Sequence, residues 1–295
     1  MKVLISDKLS QEGIDILDNV DGIQIIYKTN LKPEDLRNEI RDVQALIVRS
    51  STQVTREVLS EAKKLKIIGR AGIGVDNIDC SAATERGVVV INTPSGNATT
   101  TAEHTIAMLM SLSRHIPQAD RSMHQGAWEK SKFTGTEITG KVLGIFGFGN
   151  IGKIVADRAL GLRMRVLVSD PFLNEQIVAK HGFELVSNDV LFERSDYISV
   201  HVPLNDTTRN LIDHKTIQSM KTGVSILNCA RGGIVNESAL LDGLNSGKIA
   251  GAAIDVFEEE PPQKDNPLLT HDRVICTPHL GASTAEAQVN VAIQA

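Results

Sequence analysis

A chain of 295 residues suits two domains, and roughly three quarters of the unfolded surface can be buried at that size. Lys and Arg number 31 against 36 Asp and Glu, a mildly acidic balance that argues against nucleic acid or an anionic membrane as the main partner. Cys80, Cys229 and Cys276 are scattered and odd in number, which sets aside a disulfide framework or a C-x-x-C metal site and points to a reducing, cytoplasmic setting. The apolar run after Met1 is too short for a signal peptide, and no stretch approaches a membrane span.

Apolar runs at Val3-Leu-Ile, Ile23-Gln-Ile-Ile, Ala45-Leu-Ile-Val, Lys66-Ile-Ile and Val88-Val-Val-Ile predict strands. Helical patterns lie between them, near residues 10–18, 33–41, 55–64 and 78–86. Pro33, followed by Glu34 and Asp35, suits a helix start, with the proline at N1 and the acids facing the dipole. Such alternation implies a parallel sheet covered on both faces, a complete α/β domain. Asn92-Thr-Pro-Ser-Gly-Asn97 is a cluster of turn formers and reads as a hinge. The two domains are expected to close on ligands there and just after His279. Thr100 and Glu103 have capping-box spacing at the start of a long helix running through Leu112. His104 in that helix reads as a packed or solvated histidine rather than a catalyst.

Val142, Leu143, Ile145 and Phe146 form a short apolar run of the kind buried on both faces of a sheet. Gly147-Phe-Gly149-Asn150-Ile151-Gly152 then opens a helix, and a second strand, Arg165-Val-Leu-Val-Ser, ends at Asp170. Strand, G-x-G-x-x-G, helix, strand and acid make the dinucleotide-binding fingerprint. Its glycines allow the turn, the approach of the pyrophosphate and tight helix–strand packing, and the helix N-terminus faces the phosphates. Asp170, 18 residues after Gly152, is placed to grip ribose hydroxyls, which favours NAD over NADP. Gly135-Thr-Glu-Ile-Thr-Gly140-Lys141 imitates a P-loop, but Val142 stands where the magnesium-binding hydroxyl belongs.

Beyond Asp170, Tyr197-Ile-Ser-Val-His-Val, Val224-Ser-Ile-Leu-Asn, Ile249-Ala-Gly-Ala-Ala-Ile and Val274-Ile-Cys read as strands, with helices near 174–181, 213–220 and 237–246. Residues 283–295 are helical in pattern and stop without a glycine cap or a proline, so the native chain is expected to continue. In open α/β sheets, ligands bind beyond the carboxyl ends of the strands. Three such ends carry Arg231, Asp255 with Glu260, and His279. An arginine to fork a carboxylate, a histidine to carry a proton and an acid to orient it are what alcohol–carbonyl redox requires beside a nicotinamide.

These segments resemble the D-2-hydroxyacid dehydrogenase family. The match runs through Gly69-Arg-Ala-Gly-Ile-Gly-Val-Asp-Asn-Ile-Asp79, Asn92–Asn97, Asn228-Cys-Ala-Arg-Gly-Gly-Ile-Val235 and Thr277-Pro-His-Leu-Gly-Ala-Ser-Thr284, and covers nearly the whole chain. The resemblance implies two doubly wound parallel-sheet α/β domains. Residues 1–95 with 283–295 form the substrate-binding one, and 96–282 form a Rossmann NAD-binding one. It implies Arg231, Glu260 and His279 as the catalytic trio. The NAD site would take Gly147, Gly149, Asn150, Ile151, Gly152, Asp170, Val202, Pro203, Cys229, Ala230, Arg231, Asp255, His279, Gly281 and Ala282, with Asp255 against the nicotinamide amide. The substrate site would take Arg49, Ser50, Arg70, Gly72, Ile73, Gly74, Val75 and Asn97. The expected substrate is a phosphorylated 2-hydroxy acid, its phosphate held by Arg49 and Arg70, with Lys130 or Lys132 of a neighbouring subunit as further candidates. Glyoxylate, hydroxypyruvate or D-lactate are the alternatives within the family, and an NAD-sensing corepressor-like role is the alternative outside it. A homodimer through the cofactor domain, or a tetramer, is expected. So is a short or truncated form without a C-terminal regulatory domain.

Overall fold

The structure, a computed structural model, describes residues 1–174 and 182–295. The helix expected near residues 174–181 therefore lies outside the described residues, apart from Asn174. The chain forms two units, residues 1–98 with 282–295 and residues 99–281.

In the first unit β1 (Lys2–Ile5), α1 (Gln11–Asp18), β2 (Gln24–Tyr27), α2 (Pro33–Glu39), β3 (Ala45–Val48), α3 (Arg56–Glu61), β4 (Ile67–Arg70), α4 (Cys80–Glu85) and β5 (Val89–Asn92) alternate as the apolar runs suggest. Pro33 does sit at the N-terminus of α2 with Glu34 and Asp35 in its first turn. All five strands pair in parallel in the order β2-β1-β3-β4-β5, so the winding reverses between β1 and β3. One face of the sheet is covered by Leu36, Ile40, Val58, Leu59, Ala82 and Ala83 of α2, α3, α4 and their flanks. The other is covered by α1 and by the last helix (Ala285–Gln294), which contributes Val291 and Ala292.

The second unit begins with α5 (Ala98–Arg114) and α6 (Ile116–His124). Helix α5 starts at Ala98, three residues before a helix capped by Thr100 would begin, so Thr100 lies in its first turn. Helix α6 escaped the periodicity reading; the chain restarts it after His115, which has a left-handed φ of 53°. Then follow β6 (Val142–Phe146), α7 (Asn150–Gly161), β7 (Arg165–Ser169), β8 (Glu184–Leu185), α8 (Asn188–Arg194), β9 (Tyr197–Val200), α9 (His214–Ser219), β10 (Val224–Asn228), α10 (Glu237–Ser246), β11 (Ile249–Ile254) and β12 (Val274–Cys276). The strands form one parallel sheet in the order β12-β11-β10-β9-β6-β7-β8, a doubly wound arrangement whose direction switches between β6 and β9. Every residue of β6, β9 and β10 is buried, which is why these strands read as continuous apolar runs rather than alternating ones.

Candidate active site

Two clusters of groups lie at the carboxyl end of the second sheet. The first is the turn between β6 and α7. Gly147 adopts φ 87°, and its N–H donates to the Ser169 carbonyl at 2.9 Å. A β-carbon on Gly152 would stand 2.0 Å from the Gly147 carbonyl oxygen, so only glycine lets the helix start this close to the strand. At Gly149 the same test meets open space: no protein atom lies within 4 Å, and no side chain caps α7 there. A helix N-terminus without a side-chain cap, beside an open backbone, fits a pyrophosphate. Asp170 accepts the Phe148 N–H at 2.8 Å and the Phe172 N–H at 2.9 Å. A carboxylate has about four acceptor positions, so these two bonds anchor it and leave capacity for ribose hydroxyls.

The second cluster is built by strand register. Asn228 of β10 pairs with Ile254 of β11, and Ile254 with Cys276 of β12. The chain therefore leaves all three strands at one level, and Cys229–Arg231, Asp255–Glu260 and Thr277–Gly281 emerge side by side. The Asn228 amide closes the arginine turn, donating to the Arg231 carbonyl at 2.9 Å and accepting from Ala230 N–H at 3.1 Å. A β-carbon on Gly232 would fall 1.7 Å from the Phe257 carbonyl oxygen. That contact locks the Arg231 turn against the segment leading to Glu260. His279 Nδ1 lies 2.6 Å from Glu260 Oε2, and Glu260 Oε1 accepts the Phe257 N–H at 3.1 Å. The Glu260 bond holds the imidazole above its ordinary pKa, outweighing burial and the opposing charge of Arg231. Burial works against the Glu260 carboxylate, yet the His279 bond and charge keep it below its ordinary range. An acid–base pair with one imidazole nitrogen committed to a carboxylate leaves Nε2 as the nitrogen for a reacting hydroxyl.

Asp255 is wholly buried. Its carboxylate accepts the Thr277 hydroxyl at 2.6 Å and the Leu280 and Gly281 N–H groups at 2.7 and 2.8 Å, while its carbonyl accepts His279 N–H at 2.9 Å. Three consecutive N–H groups thus converge on one residue and hold His279 at φ 53°, a left-handed conformation costly for a non-glycine. Burial raises the Asp255 carboxyl, but these bonds and His104 keep it below its ordinary value. His104 Nε2 stands 3.1 Å from Thr277 Oγ1 and 3.3 Å from Asp255 Oδ1. It is a half-buried, packed histidine that also closes this network from α5, a link that helical periodicity cannot reveal. Cys229 is buried, which pushes its thiol up to about 12 and leaves it an unreactive liner. Val202 and Pro203 follow β9.

Among the residues assigned to the substrate, Arg49 and Ser50 follow β3, whereas Arg70 is the last residue of β4 rather than beyond it. The Arg70 guanidinium lies across Gly72, where a β-carbon would overlap it. The Gly72 carbonyl accepts Thr93 N–H at 3.1 Å, and the Ile73 carbonyl accepts the Asn92 amide at 2.6 Å. Asn97 is buried one residue before α5. Lys132 pairs with Glu129 of its own chain. No group of three or more candidate metal ligands occurs among the described residues.

Fold and site together define a class. Residues 106–281 match the NAD-binding domain of D-isomer-specific 2-hydroxyacid dehydrogenases, and the chain belongs to that family; the cofactor of the matched domain is NAD. Over 99% of its length it is 50% identical to the D-3-phosphoglycerate dehydrogenase of Archaeoglobus fulgidus, and equally to that of Bacillus subtilis, covering 55% of each. The chain thus spans about half the length of the curated relatives it matches. Among solved structures it resembles a glyoxylate reductase from Paecilomyes thermophila with TM-score 0.90 and 31% identity, covering 99% of this chain and 92% of that one.

Proposed function

We propose that this chain is the catalytic part of an NAD-dependent dehydrogenase that oxidises D-3-phosphoglycerate to 3-phosphohydroxypyruvate, the first step of phosphorylated serine synthesis. The observation that carries the reading is the 2.6 Å His279–Glu260 pair, beside an arginine turn locked to the same loop. Gly147, Gly149 and Gly152 with the start of α7 would hold the NAD pyrophosphate, and Asp170 the ribose. When bound, NAD supplies the hydride acceptor. Arg231 forks the substrate carboxylate and turns C2 toward that acceptor. As the C2–H bond breaks and the carbonyl forms, the hydroxyl proton passes to His279 Nε2. Glu260 balances the resulting imidazolium. The identity to the two phosphoglycerate dehydrogenases supports a phosphorylated substrate; Arg49 and Arg70 are the cations proposed to hold its phosphate. Charge-assisted bonds contribute roughly 1.5–3 kcal/mol each. Arg49→Ala or Arg70→Ala is therefore expected to raise the phosphoglycerate KM about tenfold or more.

A panel of D-3-phosphoglycerate, glyoxylate, hydroxypyruvate and D-lactate tests the assignment directly. More efficient turnover of glyoxylate than of the phosphorylated pair would transfer the assignment to a glyoxylate/hydroxypyruvate reductase. No turnover of any 2-hydroxy or 2-oxo acid would leave an NAD-binding sensor.

The expected homodimer finds support in Met110, Ile116, Met123 and Trp128 on α5, α6 and the loop beyond, all exposed and Trp128 at 81%. Light scattering of the purified chain checks it. Among the described residues no helix is long and apolar enough to cross a membrane. The three cysteines are free, which supports a reducing, cytoplasmic setting.

A further inference from the structure

The first sheet carries a second polar network, at the point where its winding reverses. Asp7 stands two residues beyond β1, and Arg49 directly beyond β3. In an open α/β sheet of this strand order, the carboxyl ends flanking the reversal are where a ligand is bound. The Asp7 side chain is buried there, and every bond it makes goes to one short loop. Its Oδ2 accepts the Arg49 N–H at 2.6 Å and the Thr52 N–H at 3.1 Å. Its Oδ1 accepts the Thr52 hydroxyl at 2.9 Å, and that hydroxyl accepts from Ser6 at 3.0 Å. From the other side the Asn77 amide donates to the carbonyls of Arg49 and Thr52, both at 2.7 Å. Loop 49–52 is thereby clamped at both ends by side chains 42 and 25 residues away in sequence.

The clamp grips only backbone and hydroxyl groups. It leaves the Arg49 guanidinium with a single 3.4 Å bond to the Lys8 carbonyl, and among the described residues no carboxylate pairs with it. A buried carboxylate satisfied by three donors is a fixed post, whereas the arginine it aims keeps its charge for something outside the protein.

We infer that Asp7, with Thr52 and Asn77, is a positioning residue that sets specificity for the phosphorylated end of the substrate by fixing the backbone from which Arg49 reaches. The inference rests on the reading of Arg49 as a phosphate ligand. It differs from a purely electrostatic role in sign: a carboxylate near a phosphate repels it, so removing a merely adjacent charge would tighten binding.

The test compares Arg49→Ala, Asp7→Ala, Asp7→Asn and Thr52→Val in the full chain. KM and kcat are measured for D-3-phosphoglycerate oxidation with NAD and for reduction of hydroxypyruvate, which lacks the phosphate, with NADH. Arg49→Ala is the reference. Asp7→Ala is expected to raise the phosphoglycerate KM about five- to tenfold, with kcat and the hydroxypyruvate KM within about twofold. Asp7→Asn should recover most of the loss, because an amide oxygen can still take both N–H groups while the Thr52 hydroxyl turns to accept from the amide nitrogen. Thr52→Val, which spares the carboxylate, should raise the same KM about threefold and serves if Asp7→Ala does not fold.

Selective loss in Arg49→Ala with no change in Asp7→Ala or Thr52→Val would overturn the positioning role. So would a lowered KM in Asp7→Ala, or equal losses on both substrates. If Arg49→Ala itself spares phosphoglycerate, the phosphate reading fails first and the inference falls with it.

Discussion

Replacing Glu260 by Gln isolates the charge that tunes His279. The side chains meet at 2.6 Å, with 37% of Glu260 and 47% of His279 exposed. A hydrogen bond to a charged group contributes about 1.5–3 kcal/mol, and solvent screening at this exposure favours the lower end. The sign follows from the raised His279 pKa: the carboxylate keeps the proton on the imidazole to higher pH, and an uncharged amide releases it. Oxidation needs neutral His279, so the acid limb of kcat/KM for phosphoglycerate oxidation should move toward lower pH. Reduction needs the imidazolium, so its alkaline limb should fall at lower pH. A glutamine oxygen can face either His279 Nδ1 or the Phe257 N–H, which now use separate oxygens, so a loss in kcat should accompany the shift. Paired pH–rate profiles in both directions read this out. Unmoved limbs, or limbs moving to higher pH, would refute Glu260 as the source of the raised imidazole pKa.

His279→Ala should lower turnover by roughly 10²–10⁴ while the NAD dissociation constant stays within a few-fold, measured by single-turnover kinetics and nucleotide titration. Near-normal rates would route the proton elsewhere. NAD should be preferred over NADP at least about tenfold, because a 2′-phosphate roughly 4 Å from Asp170 is repelled by about 4 kcal/mol per charge pair before solvent reduces it. Asp170→Ala should relax that preference, and equal catalytic efficiency of the parent with both cofactors contradicts the reasoning. Gly152→Ala must push a β-carbon away from the Gly147 carbonyl, at a cost of about 1–3 kcal/mol. Calorimetry should show a Tm several degrees lower, and titration an NAD affinity at least about tenfold weaker; unchanged affinity would mean the loop does not carry the pyrophosphate.

Much of this protein was legible along the chain because the relevant physics is local. A strand buried on both faces must be continuously apolar, and a helix covering a sheet must repeat its apolar residues at 3.6, so β6, α7 and β7 could be read with the glycine turn between them. Pro33 with its two acids marked α2 for the same reason. Arg231, Glu260 and His279 were visible as an arginine, an acid and a histidine beyond apolar runs, the set that alcohol–carbonyl redox requires, and the resemblance pointed to the same three. It took the register of β10, β11 and β12 to bring those runs to one level and set Glu260 against His279, 19 residues apart.

The supports of the site left no local trace. Asp7 reads as an acid after a strand until β1 and β3 become neighbours, and His104 as a packed helical histidine until α5 lies beside β12. Thr100 looked like a cap, but the backbone turned helical at Ala98 before reaching it. Pattern and propensity act over a few residues, and so the sequence alone determines which segments are strands, helices and turns. Which buried polar group answers which backbone N–H depends on strand order, and that is decided only when the sheet forms and each donor must find an acceptor away from water.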